Sequence, residues 1–311
     1  MNKLIVSSSP HIHERETISS IMSDVIIALV PAALMGVYTF GYRAAVVILT
    51  AVAACVATEF FYEKLTKRRI TIGDMSAVVT GLLLGLNLPV TIPLYMTVIG
   101  SVFAIAVVKQ LYGGLGKNFM NPALAARCFM LIAWAGAMTS FTNPGAGYGA
   151  DAISQATPLA ILKGTSEGAL PSLRDAFFGL KAGTIGETSG VMLLLGGAYL
   201  LIRGVITWHT PVSFIGTVFV LSLILGQDAA RQILSGGLLL GAFFMATDYV
   251  TAPQTPWGRA LFGIGAGLLT CLIRFYGSYA EGVSFAILFM NILTPYLSKW
   301  TASKPFGGAK A

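Results

Sequence analysis

From Ile21 to Tyr62 the chain reads IMSDVIIALVPAALMGVYTFGYRAAVVILTAVAACVATEFFY, with Asp24, Arg43 and Glu59 as its only charges. Apolar runs of this kind recur to the end of the sequence. Of the 311 residues, 55% are hydrophobic and 11% charged, whereas a soluble domain carries about 25% charged residues. A chain so poor in polar surface cannot coat a globule in water, so lipid is its main solvent. The sequence therefore predicts an all-α polytopic membrane protein, since a helix satisfies its own backbone polar groups in hydrocarbon.

A crossing helix needs about 20 residues, fewer where it is broken or enclosed by protein. Ten segments qualify, at roughly 21–40, 43–62, 75–88, 92–111, 122–138, 188–206, 211–225, 232–246, 259–276 and 284–300. The third, seventh and eighth are short, and are expected to be interrupted or half-spanning helices enclosed by the bundle.

The side of each loop follows from Lys and Arg, which gather in the cytoplasm. With the N-terminus inside and ten crossings, Arg43, Lys163, Arg174, Lys181, Arg231 and Arg274 fall outside and the other 14 basic residues inside. KLTKRR at 64–69 is the clearest marker. Both termini are then cytoplasmic, and the polar interval 139–187 is extracytoplasmic. The formal charge of +7 reflects these loops. Nucleic acid is excluded as a partner, because no basic run exceeds KRR.

The chain also resembles itself. TGLLLGLNLP at 80–89 matches GGLLLGAFFM at 236–245, and KQLYGGLGKNFMN at 109–121 is echoed by IRFYGSYAEGVSF at 273–285. The growing offset places an insertion around TDYVTAPQTPWG. Five segments per half is an odd number, so the second copy runs upside down. Inverted repeats commonly enclose a midplane site lined by discontinuous helices. The expected organisation is a tail and first five-helix repeat at 1–138, an extracytoplasmic loop at 139–187, and a second repeat with a short tail at 188–311.

Ionisable groups inside spans are costly and point to function. Asp24 and Glu59 lie near cytoplasmic helix ends, where interfacial water is the expected partner. Asp248, in FFMATDYVTAP, follows the short eighth segment; it reads equally well as a loop aspartate or as a cation or cofactor contact. Asn118 and Asn121 precede Pro122, a helix start with free N–H groups, where Asn121 is either a cap or part of an anion contact. Cys55, Cys128 and Cys271 lie in apolar stretches with no CxxC or Cys/His spacing, so no metal site is expected. The opening MNKLIVSSSPHIHERETISS lacks signal-peptide organisation, and His11 and His13 on it read as solvated.

DAISQATPLAIL, 151–162, admits two readings on its own. Asp151 and Ser154 can form turns and Thr157 can cap a helix that begins at Pro158. Equally, a phosphate ester on the Thr157 hydroxyl would meet helix N–H groups, with small Ala156 leaving room for a transferase.

This stretch resembles the flavinylation motif of the RnfD and NqrB membrane subunits, in which Asp, a hydroxyl residue and Gly-Ala-Thr end on a flavin-bearing threonine. Gln155 stands where that motif has glycine. GGLGKNFMNPALAAR and FFMATDYVTAP resemble the same family, with Tyr249 in place of a proline. The short polar start, compared with the longer extension of NqrB, puts the chain nearer RnfD.

The resemblance implies the inverted-repeat fold of urea transporters and a place in a ferredoxin:NAD oxidoreductase complex coupled to Na⁺ or H⁺ movement. It implies covalent FMN on Thr157, with Asp151, Ser154 and Ala156 as motif positions, and admits a second flavin, riboflavin, deeper in the bundle. Asn118, Asn121 and Asp248 are the candidates to contact that flavin or an ion. The implied partners are the other Rnf-type subunits (a second FMN-bearing subunit and iron–sulfur subunits among them) and a flavin transferase for maturation. No GxGxxG after a strand, Walker loop or hydrolytic constellation is present, so no complete catalytic site for NAD or hydrolysis is expected on this chain. The competing readings are a stand-alone channel or permease of urea-transporter type and a passive membrane anchor.

Overall fold

The computed structural model describes residues 16–144, 156–166, 168–277, 279 and 281–302. Asp151, Ser154 and Gln155 of the motif, and His11 and His13, lie outside the described residues. Within these residues the fold is all-helical, without a β-strand. Each apolar segment contains a helix: α1 Ile18–Phe40, α2 Tyr42–Leu65, α3 Ser76–Leu86, α4 Leu94–Val102 continued by a π-helix Phe103–Gln110, and α5 Pro122–Ala133. The second half supplies α6 Gly190–Ile202, α7 His209–Ile224, α8 Leu238–Leu240 continued by a π-helix Gly241–Met245, α9 Pro256–Tyr276 and α10 Val283–Trp300.

Helices α1, α2 and α9 are long and apolar enough to cross a membrane, and only 28 to 44% of their most apolar windows is buried inside the protein. Leu34, Leu49, Phe61 and Leu268 stand exposed on them. An apolar outer face of this extent is solvated by lipid. The three cysteines are free and buried, as expected.

Helices α3 and α8 are the short elements that the repeat brings into correspondence, and both are enclosed. Every residue of Ser76–Leu86 except Val78 is buried, as is every residue of Leu238–Met245, which is what a helix apolar on all faces requires. The seventh segment departs from expectation. Val212, Phe219, Val220, Leu223 and Ile224 are exposed on α7, so it is not enclosed by the bundle. Its polar Thr210, Ser213 and Thr217 bond within their own helix or to Arg259, leaving the apolar residues outward.

Pairings between elements recur in the two halves. Helix α2 packs along α4 and α7 along α9; α4 meets α5 and α9 meets α10; α1 crosses α6 and α5 crosses α10. The α2–α3 contact is close because Gly81 has no side chain: a Cβ there would lie 2.6 Å from Val52 Cα and 2.9 Å from the Ala51 carbonyl oxygen.

The interval 139–187 is not a loop throughout. Residues 181–190 are buried, and they run against the end of α3, where Gly186 N–H donates to Leu86 O at 2.7 Å and Ile185 N–H to Leu88 O at 3.1 Å. These bonds satisfy carbonyls that a helix ending inside the bundle would otherwise leave bare.

Because the clash at position 81 is with backbone, Gly81→Val is expected to destabilise the fold by about 1–3 kcal/mol. Gly73, with nothing within 4 Å of its would-be Cβ, should accept Ala. Apparent melting temperatures of the two variants in detergent check this.

Candidate functional site

Two cavities lie toward opposite ends of α5. The first is bounded by its N-terminal residues and the second by its C-terminal half.

The first cavity, about 90 Å³, is lined by Asn118, Asn121 and Asp248 together, with Leu83, Phe243 and Phe244 among its apolar walls. Residues far apart in sequence therefore line one cavity. Asn121 Oδ1 caps α5 through Ala123 N–H (3.0 Å) and Leu124 N–H (3.2 Å), and Pro122 takes the first helical position. The amide of Asn121 donates to Met245 O at 3.5 Å, at the end of the α8 π-helix. Asn118 donates to Met120 O (3.0 Å). Asp248 accepts from Thr251 Oγ1 at 3.1 Å and Val250 N–H at 3.5 Å, so its loop role and its place on the cavity wall coexist.

Lys109 also lines this cavity, and sequence reasoning treated it only as a cytoplasmic charge. The π-helical turn of α4 buries it, with Nζ 2.6 Å from both Glu59 Oε1 and Ser76 Oγ. Gln110 Nε2 donates to Glu59 (2.8 Å) and Glu63 (3.2 Å), and Glu63 accepts from Thr71 N–H at 2.9 Å. The interfacial expectation for Glu59 is thus overturned: it is fully buried, with protein partners in place of water. Asp24 is likewise held by protein, accepting from Tyr199 OH (2.7 Å) and Arg203 Nη2 (3.1 Å).

The second cavity, about 270 Å³, is lined by Ala156, Thr157, Ala160, Arg127, Tyr279 and Glu281, with Phe141 and other residues completing it. Thr157 caps the short helix Pro158–Leu162, its Oγ1 accepting Ala160 N–H at 3.3 Å. The cap expected from the sequence is present. The Thr157 side chain is buried. Lys163, at the end of this helix, donates to the Gly277 and Tyr279 carbonyl oxygens. Partial burial pulls its ammonium below the ordinary lysine range.

Across the same cavity Arg127 forms a second, partly buried ion pair, Nη2 to Glu281 Oε2 at 2.5 Å. Arg127 Nη1 donates to Ser284 Oγ (2.8 Å) and to Asn87 Oδ1 (3.2 Å), the residue that ends α3. Glu187 stands behind this pair, with Oε1 accepting Thr184 N–H at 3.1 Å and Oε2 without a partner. Gly237, at φ +67°, leads into α8 where a Cβ would lie 3.2 Å from Glu187 Oε2. Among the described residues no group of three or more His, Cys, Asp or Glu side chains could hold a metal.

The fold defines a helical membrane protein with internal cavities toward both ends of α5. The NQR2, RnfD, RnfE family model matches residues 5–307, and the chain belongs to that family. It is 48% identical over 99% of its length to the D-subunit of the Na(+)-translocating ferredoxin:NAD(+) oxidoreductase complex of Acetobacterium woodii, covering 96% of that protein. It is 46% identical to the D-subunit of the proton-translocating ferredoxin:NAD(+) oxidoreductase complex of Clostridium ljungdahlii, with 98% of this chain and 97% of that one covered. The D-subunit of the ion-translocating oxidoreductase complex of Shewanella amazonensis shares 37%, over 97% of each chain.

Removing one partner of a buried ion pair strands the other charge. Lys109→Met alone should therefore lower stability by about 3–5 kcal/mol, and Glu59→Gln in the same chain should recover most of it. Thermal unfolding of the two single variants and the double variant checks the coupling.

Proposed function

We propose that this chain is the flavin-carrying membrane subunit of an Rnf-type ferredoxin:NAD oxidoreductase, relaying electrons within a complex that moves Na⁺ or H⁺. The observation that carries the proposal is near-full-length identity of 46 to 48% to the D-subunits of two such complexes. The Thr157 cavity supports it independently. A hydroxyl in a helix-cap position, flanked by Ala156 and Ala160 and faced by the Tyr279 ring and the Arg127 guanidinium, suits an aromatic, anionic group joined through phosphate.

Once attached, FMN supplies the one- and two-electron chemistry; the chain positions it, shields it from water and sets the charge around it. Asp151, Ser154 and Ala156 serve recognition by the flavin transferase. In the first cavity, Leu83, Phe243 and Phe244 offer apolar walls, while Asn118, Asn121 and Asp248 offer polar contacts to riboflavin or a transported ion. The other Rnf-type subunits, including a second FMN-bearing one and iron–sulfur carriers, donate and accept the electrons.

The proposed topology is ten crossings in two inverted five-helix repeats of urea-transporter type, with termini inside and Thr157 outside. The matched pairings of α2 with α4 and α7 with α9, and the two enclosed short helices, support this arrangement. Domain limits of 1–138, 139–187 and 188–311 follow from it. A stand-alone permease gains nothing from the family relationship and leaves Thr157 without a chemical role.

Mass spectrometry of the chain co-expressed with a flavin transferase tests the assignment. An FMN increment is expected on the peptide containing Thr157 and should vanish in Thr157→Ala; a colourless, unmodified chain would overturn the proposal. Flavin released on denaturation, beyond the covalent one, reports the second site. For topology, the buried native cysteines give a quiet background. A cysteine at Lys67 should label only from the cytoplasm and one at Arg174 only from outside; labelling of both from one side would refute the ten-crossing arrangement.

A further inference from the structure

The Arg127–Glu281 pair is largely withdrawn from solvent, and apolar groups of similar volume often replace such a pair without loss of stability. Its surroundings point to a ligand. A guanidinium has five N–H donors. Among the described residues those of Arg127 serve Asn87, Ser284 and Glu281, so two remain on a side chain that lines the Thr157 cavity. On the acidic side, Glu281 Oε1 and Glu187 Oε2 are buried without partners.

The charged groups within electrostatic reach of one another are Arg127, Lys181 and Arg274 on one side and Glu187 and Glu281 on the other. With all five ionised, the cluster carries one net positive charge. Lys181 is bound to the Leu234 carbonyl, and Arg274 to the carbonyls of Gln232, Ser235 and Gly236. Arg127 is the member of this group that both reaches the cavity and has donors to offer there. A planar guanidinium presents paired donors to a carbonyl or imide edge, which an ammonium does not.

Resting on the proposal that Thr157 carries FMN, we infer that Arg127 is a redox-tuning residue: its guanidinium stabilises the negative charge that one-electron reduction adds to the isoalloxazine, and Glu281 holds and tempers it. Reduction brings in one electron from a one-electron carrier, with no bond made or broken on this chain. The added charge is then matched by a cation already in place, in a site where low dielectric strengthens the interaction. Glu281 orients the guanidinium and partly cancels it, which keeps the potential from rising too far. The FMN phosphate is the other anion that could occupy Arg127, and its charge does not follow the redox state.

The test is a spectroelectrochemical titration of the covalent flavin in the full-length chain co-expressed with a flavin transferase. It compares wild type with Arg127→Gln, Arg127→Lys and Glu281→Gln, with in-gel flavin fluorescence reporting attachment. The inference predicts a midpoint lowered in Arg127→Gln, lowered less in Arg127→Lys, and raised in Glu281→Gln. Should Arg127→Gln fail to accumulate, the opposite shifts of Arg127→Lys and Glu281→Gln carry the same prediction. Unchanged midpoints in fluorescent variants would overturn it and leave the pair a structural tie. Reduced attachment with an unchanged midpoint would also overturn it, assigning Arg127 to the phosphate. An unlabelled wild type would instead remove the flavin reading on which the inference rests.

Discussion

In a bilayer no water reaches a helix that stops halfway, so every carbonyl and N–H at the break must find a partner in the protein. Helices α3 and α8 both stop inside the bundle, and much of the architecture follows from satisfying their ends. The chain at 185–186 reaches in to donate to Leu86 and Leu88. Lys181 and Arg274 reach the carbonyls between Gln232 and Gly236 that precede α8. Cations suit these positions because the segment Ala229–Leu234 presents its carbonyl end there. Removing Arg274 would leave several buried acceptors without a partner, and removing Lys181 would leave the Leu234 carbonyl without its side-chain donor.

The same breaks create the two cavities. Where α3 ends, Asn87 turns its amide carbonyl to Arg127 and its N–H₂ to Leu83 O and Met245 Sδ. Where the α8 π-helix ends, Met245 O accepts from Asn121. Arg127 and Asn121 are both on or adjoining α5, one facing each cavity. A hydrogen-bonded strip of Arg127, Asn87, Met245 and Asn121 therefore lies between the Thr157 pocket and the Asn121 pocket. The π-helical turns carry Lys109 in α4 and Met245 in α8, and such turns are frequent at functional sites.

How much of this was legible in the sequence depends on range. Caps are local, so Asn121 before Pro122 and Thr157 before Pro158 could be read from spacing, and both hold. The enclosed character of the third and eighth segments was legible from their length and glycines. Asn118, Asn121 and Asp248 could be grouped through a family resemblance. Lys109, Arg127, Glu187 and Glu281 escaped because a charged residue at a span's edge looks the same whether it faces water or a partner. The partner of Arg127 lies 154 positions away in the chain and that of Lys109 lies 50 positions away. The burial of 181–187 escaped because KAGTIGE reads as a plain loop by composition. The seventh segment misled for the opposite reason: its length suggested an enclosed element, while its Val, Phe and Leu side chains stand exposed.

These buried charges also bear on the assignment of sides. Lys109, Arg127, Lys181 and Arg274 are internal, and an internal cation says nothing about which loop stays in the cytoplasm. Removing two from each side leaves 12 basic residues on the side read as cytoplasmic and 4 on the other, so the bias on which that reading rests survives through KLTKRR and the termini. The internal cations answer to a different constraint. A chain with 11% charged residues places four of its twenty basic groups where desolvation is costly, and all four are in hydrogen-bond contact with carbonyls, hydroxyls or carboxylates. Two close the breaks that make the cavities, and two stand on the cavity walls. The division follows from what lipid demands: buried acceptors at the breaks must be met from within the protein, and a charge on a cavity wall persists only where protein groups hold it.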